Sequence, residues 1–141
     1  VRARTTQPIS IDERLETFED MIRIQTGRIA EVVNIKLNRV GGLTKATRLR
    51  DFCLNTGIKM LTMDTGGTVL ADTVVQHFAQ SIPPEFRLGT WLCNDMLVDE
   101  DEIAPHQGSR NNNGVASAPD QPGIGVEPEP GLIGDPVAVY E

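Results

Sequence analysis

From residue 8 to about 95, short extended stretches alternate with amphipathic helical ones, and this alternation limits the fold more than any other feature of the chain. PISID (8–12), VVNIKLN (32–38), IKMLTMD (58–64) and FRLGTWLCND (86–95) read as strands. The first intervening helix is expected over 17–27. There Thr17 stands three residues before Asp20 as a cap, Phe18, Met21 and Ile22 supply an apolar stripe, and Gly27 can end it. A second helix follows the Gly41-Gly42 turn, with Thr44 as its expected cap, Ala46, Leu49, Phe52 and Cys53 as its buried side, and Gly57 at its end. A third covers 68–81 and is halted before Pro83-Pro84. Strands separated by helices pair in parallel, which leaves a doubly wound sheet or a barrel.

The expected strand ends sharpen the choice. Asp12, Lys36, Asp64 and Asp95 lie 24, 28 and 31 residues apart, so each unit finishes its strand on a charged residue. In a (β/α)8 barrel the C-terminal strand ends form the active-site mouth, and reacting groups come from several strands. Four units make half of such a barrel, whose usual size is about 250 residues. The expected fold over residues 1–98 is therefore α/β, either a doubly wound sheet or half of a (β/α)8 TIM-type barrel. Residues 99–141, rich in glycine and proline and without a helical or strand period, are expected to form an irregular extension. Its apolar end, PVAVY, can add to a neighbouring surface.

Charge and composition exclude several functions. A net charge of -7 and the lack of a basic cluster argue against nucleic-acid binding. No apolar run approaches the roughly 18 residues of a membrane span, and VRARTTQPIS lacks the apolar core of a secretory signal, so a cytoplasmic location is expected. Cys53 and Cys93 are too few and too far apart for a zinc motif or a disulfide scaffold, and are expected to be buried free thiols.

The stretch VVNIKLN alternates Val33, Ile35 and Leu37 with Asn34, Lys36 and Asn38. One face suits a hydrophobic layer, and Lys36 sits on the other, either solvated or reactive. Asp12 can be a strand-end cap or a ligand, and Asp64 can serve the Thr65-Gly66-Gly67 turn. His77, mid-helix beside Phe78, suits packing or surface; His106 has no partner at a metal-ligand spacing. Trp91 suits the core or mouth, and the acidic run at 99–102 suits solvent.

ISIDE, VVNIKLNRVGGLTKA, the DTGG turn and PGIGVEPE together resemble the C-terminal barrel half of the enolase superfamily, in its muconate-lactonizing, lysine-dependent branch. NIKLNRVGGLTKA is the most specific of these. Within the branch, IKLNRVGGLTKATRLRDFC, DTGGTVLADT and TWLCND look most like proline-derivative enzymes, above all cis-3-hydroxy-L-proline dehydratases. The resemblance implies that Asp12, ending the fifth barrel strand, ligates Mg²⁺ with Glu13 in support. It implies that Lys36, ending the sixth, is the acid/base. Asp64, Thr65, Gly66 and Asp95, after the seventh and eighth strands, are implied to face an amine-bearing substrate.

The chemistry suits those residue types. A proton alpha to a carboxylate is very weakly acidic, and enolase-superfamily sites remove it with a Lys or His base and one or two Mg²⁺ ions. A lysine near a cation and partly desolvated is expected to have its neutral form favoured. The implied activity is a Mg²⁺-dependent lyase on a small amino-acid substrate, in a full-length homo-oligomer, with this chain inactive alone. A 2-epimerase of hydroxyproline or its betaine uses the same lysine. A half-barrel binding or assembly module is the non-enzymatic alternative.

Overall fold

The computed structural model describes residues 1–64, 66–94 and 103–140. Strands β1 (Ser10–Ile11), β2 (Val32–Lys36), β3 (Lys59–Met63) and β4 (Arg87–Trp91) form one parallel sheet in the order β1-β2-β3-β4. Helix α1 (Phe18–Thr26) links β1 to β2, α2 (Leu37–Val40) and α3 (Leu43–Thr56) link β2 to β3, and α4 (Val69–Gln80) links β3 to β4. Each strand pairs with its neighbour in sequence and the order never reverses. A doubly wound sheet would reverse, so this is half of a (β/α)8 barrel.

Local sequence accounts for most element boundaries. The Thr17 side chain accepts the Asp20 N–H, and the Asp20 carboxylate accepts the Thr17 N–H, closing a capping box at the start of α1. The expected apolar stripe of this helix holds only in part, and its expected end at Gly27 holds. Met21 and Ile24 are its buried residues, whereas Phe18 and Ile22 are exposed; Phe18 instead meets Phe52 of α3 edge-on, ring centroids 5.4 Å apart. Gly27 ends the helix in right-handed geometry, and the left-handed turn falls one residue later, at Arg28 (φ 46°).

The strand expected over 32–38 stops at Lys36. Leu37–Val40 coils into α2, closed by Gly41 at φ 86°, with Gly42 N–H donating to Leu37 O at 2.7 Å. Gly42, not Thr44, is the N-cap of α3, because its carbonyl already accepts the Ala46 N–H at 3.0 Å; Thr44 lies inside the helix. Its φ of 99° is open to glycine and strained for other residues. Ala46, Leu49 and Cys53 are buried as expected, Phe52 is half-buried, and Gly57 (φ 80°) ends α3.

Val33 and Ile35 of β2 and Met60 of β3 pack beneath the helices with Met21, Ile24, Leu49, Cys53, Val75 and Phe78. Asn34 and Lys36 alternate onto the opposite, lumen-side face, yet both are buried. Every residue of β2 is buried, as befits a central parallel strand. β4 runs from Arg87 to Trp91, shorter than the expected 86–95, and a register shift after Met60 aligns Thr62 with Thr90 and Met63 with Trp91.

Residues 103–140 are irregular apart from a bridge between Asn112 and Val115 and one helical turn, Pro130–Ile133. They nonetheless pack on α4. Thr73 Oγ1 accepts the Ser109 N–H, Gln76 Nε2 donates to Ala116 O, and His77 Nε2 bonds Ile124 O. These residues lie at helical spacing along one stripe of α4. Val137, Val139 and Tyr140 of the apolar end are exposed. Among the described residues, no helix is long and apolar enough to cross a membrane.

Candidate active site at the strand ends

The register of β2 and β3 puts Lys36 level with Met63, and that of β3 and β4 puts Met63 level with Trp91. Lys36 therefore begins a row that runs across the sheet at its C-terminal edge. Asp12 and Glu13 follow the last residue of β1, one strand away on the other side. Parallel pairing makes neighbouring strands finish at the same edge, so residues 23 and 24 positions apart in sequence meet in space.

Lys36 Nζ lies 2.9 Å from Asp12 Oδ1 and 2.9 Å from Glu13 Oε1, with only 6% of its side chain exposed. Arg39, from α2, also bonds Asp12 Oδ1, at 3.0 Å, and reaches Glu13 Oε1 at 3.5 Å. Arg39 was absent from the sequence-based site. Its three-residue spacing from Lys36 across the strand-to-helix turn was the available signal.

The electrostatics run opposite to the sequence expectation for Lys36. Burial is the largest single influence and lowers its pKa, but hydrogen bonds to Asp12 and Glu13 and the Asp12 charge together outweigh it. The net shift is upward, so in this arrangement Lys36 is an ammonium held by two carboxylates. Its hydrogen bond likewise holds the Glu13 carboxyl below its ordinary range.

Asp64 and Gly66 lie just past the end of β3, the strand beside β2. Asp64 is buried, its Oδ1 has no hydrogen-bond partner, and its Oδ2 lies close to where a side chain on Gly67 would project. Gly66 is at φ 89°, which permits the tight turn. No ion pair joins Asp64 to Lys36 or Arg39 among the described residues. Thr65, Asp95 and the acidic run at 99–102 lie outside the described residues. Trp91, at the end of β4, is 55% exposed.

Both thiols are free and buried. Burial pushes Cys53 up to about 12, and burial followed by the Asp72 charge raises Cys93. Asn34, on the same strand face as Lys36, has a buried amide oxygen without a partner. Among the described residues no group of three or more His, Cys, Asp or Glu is arranged to hold a metal ion. Asp12, with Glu13 beside it, is a hard oxygen donor of the type Mg²⁺ takes, and supplies part of a ligand set at most.

Residues 1–132 match the family described as enolase C-terminal domain-like. The chain belongs to this family. It is 35% identical over 141 residues to a cis-3-hydroxy-L-proline dehydratase from Roseibium aggregatum, covering 99% of this chain and 37% of that protein. An o-succinylbenzoate synthase from Bacillus subtilis is 31% identical over 121 residues, covering 84% of this chain and 31% of that protein. A solved member of the enolase superfamily from Roseovarius nubinhibens, complexed with magnesium, superposes with a TM-score of 0.94 at 46% identity, covering 99% of this chain and 38% of that one. The chain thus spans less than two-fifths of each of these proteins.

Proposed function

We propose that the full-length protein is a Mg²⁺-dependent lyase that removes the α-proton of an amino-acid carboxylate, with cis-3-hydroxy-L-proline as substrate and water as the group lost. The observation that carries this reading is the convergence of Asp12 and Lys36, 2.9 Å apart, at the ends of adjacent parallel strands. Identity to a cis-3-hydroxy-L-proline dehydratase supports the substrate class.

Lys36 is the proton-transfer group, and Asp12 is a Mg²⁺ ligand, completed by groups from outside this chain. A bound Mg²⁺ would stabilise negative charge on the substrate carboxylate oxygens. Arg39 orients Asp12 through the bond between them. Asp64, with its unpartnered buried oxygen, receives the substrate's ring ammonium, and Gly66 lets the turn approach closely. Thr65 and Asp95 are assigned to substrate binding with them.

In the dehydration, a base takes the Cα proton, and the electron pair left on Cα forms the Cα–C3 double bond as the C3–O bond breaks. In cis-3-hydroxy-L-proline the hydroxyl is trans to the α-hydrogen, so base and departing hydroxide occupy opposite faces. Lys36 as ammonium can protonate the departing hydroxide. Returning the same proton to Cα would instead give a 2-epimerase.

The test is incubation of the full-length protein with Mg²⁺ and a panel of hydroxyproline isomers in deuterated water. Dehydration of cis-3-hydroxy-L-proline to the Cα–C3 enamine and its cyclic imine tautomer, which water can open to a keto acid, is the expected result. Cα deuteration with inversion and no dehydration would make it an epimerase, and no exchange with any isomer would overturn the reading. The chain alone, lacking the rest of the ligand set, is expected to be inactive.

A further inference from the structure

We propose that Asp72 is a positioning residue, which clamps the backbone leaving β4 and, through Cys93, ties it to the turn leaving β3. Asp72 lies in the first turn of α4 and is fully buried. Its two carboxylate oxygens accept consecutive backbone N–H groups, Cys93 to Oδ1 at 3.0 Å and Asn94 to Oδ2 at 2.7 Å. A carboxylate taken out of water is costly unless it is well bonded. Two bonds to adjacent amides fix the direction of the chain as well as its distance from α4.

Cys93 carries the constraint onward. Its thiol donates to Asp64 O at 3.5 Å. One carboxylate on α4 therefore holds the end of β4, and the end of β4 holds the turn that bears Asp64 and Gly66. Asp64, Cys93 and Asn94 are all buried, which leaves little room for an alternative arrangement. Asp12 follows β1 and Lys36 ends β2, both outside this chain of contacts.

The inference rests on the assignment of Asp64 and Gly66 to substrate binding, and it separates two consequences. Loss of Asp72 disturbs the substrate subsite and spares the metal ligand. In the full-length enzyme with Mg²⁺, Asp72→Asn keeps the shape of the side chain while placing an N–H₂ against one of the two backbone donors. Amide exchange at Cys93 and Asn94 is expected to accelerate at least about tenfold, with β2 amides unchanged. KM for the substrate is expected to rise about tenfold, with kcat within about threefold and Mg²⁺ affinity unchanged. Asp72→Glu, which restores the charge, is expected to recover part of both.

Unchanged exchange at Cys93 and Asn94 would overturn the proposal, as would a uniform loss of protection across the sheet or loss of kcat with unaltered KM. Amide exchange requires no substrate. Wild-type protein inert towards every hydroxyproline isomer would overturn the proposed reaction, while protection at Cys93 and Asn94 would still decide whether Asp72 holds this loop.

Discussion

Lys36 Nζ and Asp12 Oδ1 lie 2.9 Å apart at the ends of neighbouring parallel strands, and Arg39 shares the same carboxylate oxygen at 3.0 Å. Two cations on one oxygen bind the two strand ends together. The Asp12 carboxylate, with Glu13, consequently favours the charged form of the lysine.

If Lys36 moves the proton, Lys36→Ala in the full-length enzyme should lower kcat by about 10²–10⁴-fold. Arg39 still pairs with Asp12, so Mg²⁺ affinity should stay near wild type by titration. A base on the opposite face can still exchange the α-proton of one enantiomer in deuterated water. Equal exchange of both enantiomers by NMR would show that Lys36 only positions the substrate.

Asp12→Asn removes the charge facing both Lys36 and Arg39. A direct ligand should matter at least as much as an outer one, so Mg²⁺ affinity should fall about tenfold or more. Calorimetric titration measures it, and unchanged affinity would take Asp12 out of the ligand set.

Gly67 is closed to a side chain by its surroundings, not by its backbone angle. A Cβ there would collide with Ala71 Cβ and Asp64 Oδ2. Gly67→Ala should displace the Asp64 carboxylate, costing about 1–3 kcal/mol of stability as overpacking does. It should also raise KM more than it lowers kcat. Thermal denaturation and steady-state kinetics together test this, and an unaltered KM would detach Asp64 from substrate binding.

The capping box at α1 gives a pH-dependent contribution with a definite sign. Hydrogen bonds from the Thr17 side chain, then its backbone, hold Asp20 below its ordinary value of 3.8. Its contribution is fully present above that value and is lost as pH falls through the lower folded pKa. Thr17→Ala should cost about 1 kcal/mol at neutral pH. In urea melts, the gap between wild type and Asp20→Ala should close in strong acid; a gap that persists there would exclude the carboxylate as its source.

The 141-residue chain expressed alone presents β1 and β4 as open sheet edges, with Leu88 and Trp91 exposed on β4. Unpaired edges template further pairing, so self-association is expected in sedimentation. A monomer with sharp near-ultraviolet circular dichroism would contradict this.

Sequence by itself determined the repeating strand-helix order, the parallel sheet it implies, and the candidacy of Asp12, Lys36 and Asp64. Those follow from local periodicity and from charges recurring at strand ends. The Thr17–Asp20 capping box and the Gly57 stop were legible for the same reason, since their partners lie within a few residues. Boundaries set by a balance of local forces were not. VVNIKLN reads as one strand through Asn38, but the left-handed Gly41 and the bond from Gly42 to Leu37 turn the chain into α2. That turn is also what brings Arg39 to Asp12.

Only the tertiary structure decided the charge of Lys36, the partners of Asp72 and the role of Cys93. Lys36 is opposed by burial and favoured by two carboxylates more than 20 residues away, and no local pattern reveals which side of that balance wins. Asp72 reads as an ordinary first-turn acid, because the amides it accepts lie 21 and 22 residues further on. Packing α4 against the end of β4 excludes water from that carboxylate, and the two backbone donors take water's place in satisfying it.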